Sequence, residues 1–175
     1  MKFLLGFLCA LVVGIGGGLL YLKFGHLPVA TADAPFPMEA QIVHVPMNAR
    51  IDRELQQPPM QPSDEVYANG AMVYVLNCAS CHGTPGKDVE FAKYMYPTAP
   101  QLWKAHQHGT GPSVTGVSDD PAGETYWKVK NGLRLTGMPA FGHVLSDEDM
   151  WDVSLLLANA NKTMPAAVQQ RLSSK

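Results

Sequence analysis

Cysteine is scarce in this sequence, and the scarcity narrows the chemistry open to it. The 175 residues contain three. One of them, Cys9, sits inside an apolar run behind a leucine, which does not suit a lipoprotein cleavage site; it reads as a small buried hydrophobe. Only Cys78 and Cys81 lie elsewhere, so no further cysteine pair exists to complete a zinc site. Charge of one sign is missing too. Thirteen Lys and Arg stand against fifteen Asp and Glu, a net charge of −2 with the signs mixed. That leaves no basic footprint for a nucleic acid. Internal repeats are absent, and little of the chain alternates as a strand would.

What the chain does have is unevenly placed. Residues 3–22, "FLLGFLCALVVGIGGGLLYL", form an uncharged run of twenty between Lys2 and Lys23. As a helix it is about 30 Å long, the thickness of a bilayer's hydrocarbon core. Signal peptides use a shorter apolar region, of about 7–15 residues, with small-residue cleavage chemistry after it. Here Ala30-x-Ala32 offers such a site, but well past the apolar run, so an uncleaved signal-anchor over 1–25 is the expectation. Gly14 and Gly18 make a small-xxx-small pair that can seat another helix, or are simply glycines in an anchor. Seven of the fourteen prolines then fall between Pro28 and Pro62, which reads as a Pro-rich linker over 26–62. Within it "QIVHVPM" alternates enough to add a strand or lie on a surface, with His44 exposed.

From Ser63 the pattern becomes helical. Ser63 is placed as an N-cap ahead of Asp64 and Glu65, and Val66, Gly70, Val73 and Tyr74 follow at helical spacing. Ser146 and Asp149 form a capping-box pattern, and Trp151, Leu155 and Ala158 continue one face toward Pro165. A short helix is expected over 123–132. The organisation read from this is a domain over 63–165 and a C-terminal tail over 166–175. It is mainly α, with long Gly/Pro loops that a small core supports poorly without help.

Cys78-Ala79-Ser80-Cys81-His82 follows the first of these helices. C-x-x-C serves zinc sites, redox dithiols and c-type haem, and only the last requires the adjacent histidine. A thioredoxin-like dithiol would want a βαβ setting, which is missing. Thiols at i and i+3 share one helix face, where they can form thioethers to two vinyl groups, with His82 beneath the iron. Attachment of this kind takes place outside the cytoplasmic membrane. It therefore sets the orientation: N-terminus inside, haem domain on the periplasmic side of a bacterial cytoplasmic membrane, one pass, with residues 3–22 in lipid.

A haem iron with one histidine has a second axial position. Met72 and Met150 lie within helices and read as core, Met164 sits at a helix end, and Met95 in "KYMYP" reads as packing. Met138 in "LRLTGMPAF" combines an extended pre-proline backbone with a glycine before it, a setting that lets a loop approach the far haem face. His143 reads as an ordinary residue ahead of a helix. His106 and His108 form an H-x-H, a weak metal signal that could at most take copper. Lys130 and Arg134, near the Met138 loop, can neutralise haem propionates or be plain solvated cations.

Taken in order, "NGAMVYVLNCASCHG", "APQLW", "YWKVKNGLRLTGMPAF" and "LSDEDMWDVSLLLAN" resemble the mono-haem class I cytochromes c, in the branch similar to the cytochrome subunits of cbb3-type oxidases. The resemblance covers about residues 64–162. It implies a small helical fold wrapped around one covalent haem c, with first and last helices crossing through Gly70, Tyr74 and Trp151. It also implies haem attachment by Cys78 and Cys81, iron ligation by His82 and Met138, and a Pro100 carbonyl that takes a hydrogen bond from the proximal histidine. The expected function is a membrane-tethered carrier of single electrons between membrane-bound donor and acceptor complexes, not an enzyme, with no small-molecule substrate. The alternatives are a fixed cytochrome subunit of a larger oxidoreductase, or a haem enzyme or gas sensor if Met138 is not a stable ligand. Residues 104–122 are longer and richer in His and Gly than in minimal members of that family.

Overall fold

The computed structural model describes residues 2–107 and 110–174, in two compact units, Met1–Gln41 and Ile42–Lys175. The first unit contains α1 (Lys2–Phe24), none of whose residues is buried. Its length and composition suit a membrane anchor or a signal sequence. Past it, the Asp33 carboxylate accepts from the Val29 and Ala30 amides at 2.8 and 2.9 Å. Those bonds favour the ionised carboxylate and lower the Asp33 pKa.

The second unit is helical: α2 (Glu39–Glu54, begun in the first unit), α3 (Asp64–Asn77), α4 (Ala79–His82), α5 (Ala122–Asn131), α6 (Asp147–Ala158) and α7 (Ala166–Ser173). Two short strands, β1 (Ala105–Gln107) and β2 (Ser113–Thr115), pair antiparallel with His106 opposite Val114. Both expected caps are in place. Ser63 Oγ accepts from the Val66 amide at 3.2 Å, and Ser146 and Asp149 close a reciprocal capping box, each cap contributing about 1 kcal/mol.

Helices α3 and α6 cross where α3 has no side chain. A Cβ on Gly70 would lie 2.4 Å from the Asp152 carbonyl oxygen and 3.1 Å from Leu156 Cβ. Tyr74, Val153 and Leu156 are fully buried around this crossing. Trp151 stacks on Tyr126 with ring centroids 4.0 Å apart and planes 6° from parallel, which joins α6 to α5.

The chain departs from its sequence reading at both ends of the domain. The stretch read as linker or strand holds α2, with Pro46 inside it. Alternation at "QIVHV" suggested a strand, but Ile51 is buried, and Trp127 Nε1 donates to Glu54 Oε2 at 2.7 Å. Arg50 pairs with Glu54 at 2.9 Å and lies over the Trp127 ring. The chain then stays on α5, because a Cβ on Gly123 would fall 2.0 Å from the Gln56 carbonyl oxygen. Tertiary contact thus overrides the proline signal. Residues 166–175, read as a tail, form α7 through Ser173. Val168 and Leu172 are buried there, and Arg171 donates to the Ala68 carbonyl of α3. Helix α6 stops at Ala158 rather than running toward Pro165, since Asn159 turns back to donate from Nδ2 to Leu155 O at 2.8 Å. Met72, read as core, is 44% exposed.

Asp152 is a charged group in this crossing. It is 3% exposed, though just one layer beneath the surface. Burial raises its pKa to about 6, with further repulsion from Glu148, Asp149 and Glu65, against a lowering hydrogen bond from Asn69. A folded pKa above the unfolded value of about 3.8 means that the native state binds the proton more tightly. The stabilisation is therefore full below about pH 4 and lost as pH rises through about 6. Asp152→Asn should raise stability by about 1–2 kcal/mol near neutral pH, discounted for the nearby solvent, and change little near pH 4. Thermal melts at the two pH values read this out; equal shifts at both would contradict it.

Candidate cofactor site

The site begins where α3 ends. Cys78 caps α3, its amide donating to Tyr74 O at 2.8 Å, and residues 78–82 continue as one helical turn through Cys81 N and His82 N to Cys78 O. Cys78 and Cys81 are free thiols, both half-buried, on the same face by their i, i+3 spacing. Burial, with the neighbouring Cys81 sulfur, pushes the Cys78 thiol up to about 12. That is opposite to the depressed value a redox dithiol needs.

His82 is held in one tautomer. Its Nδ1 lies 2.7 Å from the Pro100 carbonyl oxygen, which can only accept, so Nδ1 carries the hydrogen and Nε2 keeps its lone pair. Burial lowers the His82 pKa, opposed by the Pro100 bond, so burial favours the neutral ring. Pro100 is in turn fixed by its neighbours. Gln101 Nε2 donates to Cys81 O and to Ala99 O, each at 3.1 Å, while its Oε1 accepts from the Val89 amide at 2.8 Å. Leu102 N donates to His82 O at 3.1 Å. Tyr74, fully buried, donates from its hydroxyl to Gly83 O at 2.7 Å. Gly83 closes the turn at φ 73°, where a Cβ would meet Gln101 Oε1 and Lys87 O, both at 2.7 Å.

The expected distal residue, Met138, follows α5. Gly132, at φ 65°, lets the chain fold back on itself, for a Cβ there would lie 2.7 Å from Ala140 N and 2.9 Å from Met138 O. The loop is closed by Leu133 N to Met138 O at 3.2 Å and Met138 N to Thr136 Oγ1 at 3.1 Å. Met138 is half-buried and packs on the same core cluster that borders Cys78 and Trp103. At Gly137 the one close neighbour is the flexible end of Met95, whose Cε would lie 2.6 Å from an added Cβ.

The other sequence-predicted residues scatter. Arg134 is exposed on the Met138 loop. Lys130 is engaged elsewhere, by Tyr126 OH at 2.9 Å and Asp147 Oδ1 at 3.1 Å, so it is not free to neutralise a propionate. His143 is exposed and His106 lies on β1, while His108 falls outside the described residues. Sequence reasoning missed Gln101, since a loop glutamine carries no pattern; it read Met95 as packing, and Met95 packs against Gly137.

The chemistry of these groups suits a covalently held haem. Two reduced thiols share one turn, beside an imidazole with a free Nε2. Among the described residues, Trp103 Nε1 is a buried donor without a well-placed acceptor, beyond its electrostatic pull on the Tyr74 hydroxyl; a propionate carboxylate would satisfy it. A family model described as cytochrome c oxidase, cbb3-type, subunit III matches residues 65–157. The chain belongs to this cytochrome c family. It is therefore an electron-transfer haem protein, with covalent haem c implied by the family. The matched span runs from the start of α3 to the end of α6 and omits α1, α2 and α7. No curated protein matches the chain. Among solved structures, a chain of the Kuenenia stuttgartiensis reducing HAO-like protein complex is similar at 21% identity and a TM-score of 0.43, over 58% of this cytochrome. The cytochrome spans less than half of that chain, 46% of it.

Proposed function

We propose that this cytochrome is a membrane-tethered carrier of single electrons between respiratory partners, with haem c attached through Cys78 and Cys81 and ligated by His82 and Met138. The observation that carries the reading is the His82–Pro100 hydrogen bond, on the turn that also presents both thiols. When bound, the haem supplies a one-electron iron couple. The chain's own residues do the rest. Pro100 and Gln101 hold the imidazole in one orientation. Thr136 and Leu133 keep Met138 on a closed loop, where its thioether excludes water and favours the reduced state. Trp103 offers a buried donor to a propionate, and Arg134 a positive charge on the Met138 loop. The α1 segment tethers the domain on the periplasmic side, where haem attachment takes place.

Absorption spectra of the purified full chain test this. Low-spin haem in both oxidation states, a thioether-to-ferric-iron charge-transfer band and no rapid carbon monoxide binding are expected. A high-spin spectrum with fast carbon monoxide binding would overturn it in favour of an enzyme or sensor. The family's description as an oxidase subunit favours a second reading, permanent residence in a larger complex. Purification in mild detergent separates the two: the free carrier elutes alone, the subunit with fixed companions.

A further inference from the structure

The two halves of the site come from distant parts of the chain, and the side chain that reaches from one to the other is Met95. It follows a 3-10 turn over Glu90–Tyr94, and that turn is anchored by the buried Ala92. The Met95 amide donates to Ala92 O at 3.2 Å, and its carbonyl accepts from Thr98 Oγ1 at 3.4 Å. Four residues on, the same segment enters the Ala99–Leu102 frame that fixes His82. Its methyl end occupies the volume where a Gly137 side chain would stand, beside Met138.

We propose that Met95 is a positioning residue. By packing its thioether end on Gly137, it braces the Met138 loop against the segment that carries Pro100, and so sets how firmly Met138 stays on the iron. This rests on the proposed His82/Met138 ligation. A flexible, polarisable side chain suits such a brace, because it fills an irregular gap without a fixed rotamer. A methyl group added to Gly137 would take the space of the Met95 end, which is flexible and can shift to make room.

The test uses the full-length haem-loaded protein and four variants: Met95→Ala, Met95→Leu, Gly137→Ala and the Met95→Ala/Gly137→Ala pair. Readouts are the thioether charge-transfer band, the reduction potential and the rate of carbon monoxide binding to the ferrous protein. Met95→Ala should weaken the band and speed carbon monoxide binding by about 10-fold, as loss of a supporting contact around a metal ligand does; Gly137→Ala, which displaces only the flexible end of Met95, should act in the same direction and less. Met95→Leu should restore both to within about 2-fold by refilling the volume. The pair should match Met95→Ala alone, since the Gly137 methyl then displaces nothing. An unchanged band and rate in Met95→Ala would overturn the proposal while leaving Met138 as ligand. A wild-type protein without the band would instead remove the Met138 reading itself. A Met138→Ala protein that stays low-spin until Met95→Leu is added would also overturn it, making Met95 a ligand rather than a brace.

Discussion

Met138→Ala should leave haem covalently attached but turn it high-spin, with a lower reduction potential and ferrous carbon monoxide binding about 10–100-fold faster. The reason is local. Met138 is the half-buried side chain of a loop closed by its own hydrogen bonds, Leu133 N to Met138 O and Met138 N to Thr136 Oγ1. Both use the backbone of residue 138, so alanine keeps the loop while deleting the thioether. The cost in stability should be modest, about 1–2 kcal/mol for a side chain that is only partly buried. Spin state and fold are thereby separated. Met138→His offers the matching control, since an imidazole should keep the iron low-spin but pull the potential down. Absorption spectra, a redox titration and carbon monoxide flash photolysis check all three. An unchanged spectrum in Met138→Ala would transfer the distal role to another residue.

The Cys78→Ser/Cys81→Ser double variant should have the larger structural effect. Without thioethers the haem is extracted by acidified organic solvent, whereas wild type retains it. The folded domain should also lose on the order of 5 kcal/mol, in the class of a lost metal or disulfide, with a melting temperature about 20 °C or more lower. The geometry explains the size. Cys78, Trp103 and Met138 all border one core cluster while remaining half-buried themselves, so each keeps apolar surface that the protein's own core leaves uncovered. Trp103 Nε1 is buried there with no good acceptor, an arrangement that costs about 1–3 kcal/mol unless a partner arrives. Solvent extraction followed by gel haem staining, with thermal melts, gives the answer. A double variant that melts with wild type would show that the helices do not depend on the bound group.

Features with a local cause could be read directly from the residues. Ser63 and Ser146 cap helices because the cap uses a side chain and an amide three residues apart; the crossing at Gly70 was implied by the family resemblance, and the volume that glycine lacks explains it. The 78–82 motif carries its own spacing. The features that escaped depend on remote partners. Pro46 reads as a break, and only the contacts of Ile51 and Glu54 with the domain explain why α2 persists around it. Helix α7 buries just Val168 and Leu172, too few positions to establish a period. Lys130 looked available to a propionate until Tyr126 and Asp147 were seen to hold it. Met95 looked like ordinary packing, because its neighbour Gly137 lies far along the chain.

The lacing around His82 has a consequence for biogenesis. Its hydrogen bonds close a loop of about 20 residues, from Cys81 and His82 to Pro100, Gln101 and Leu102. The α3–α6 crossing joins residues about 80 apart, Gly70 and Asp152. By chain entropy the short ring closes at a cost lower by about 1 kcal/mol, and contacts near in sequence form sooner. A newly made chain can therefore shape the thiols and the imidazole while α6 is still unpaired, leaving the turn open to haem attachment. The Met138 loop, which belongs to the later half of the chain, would form after this turn.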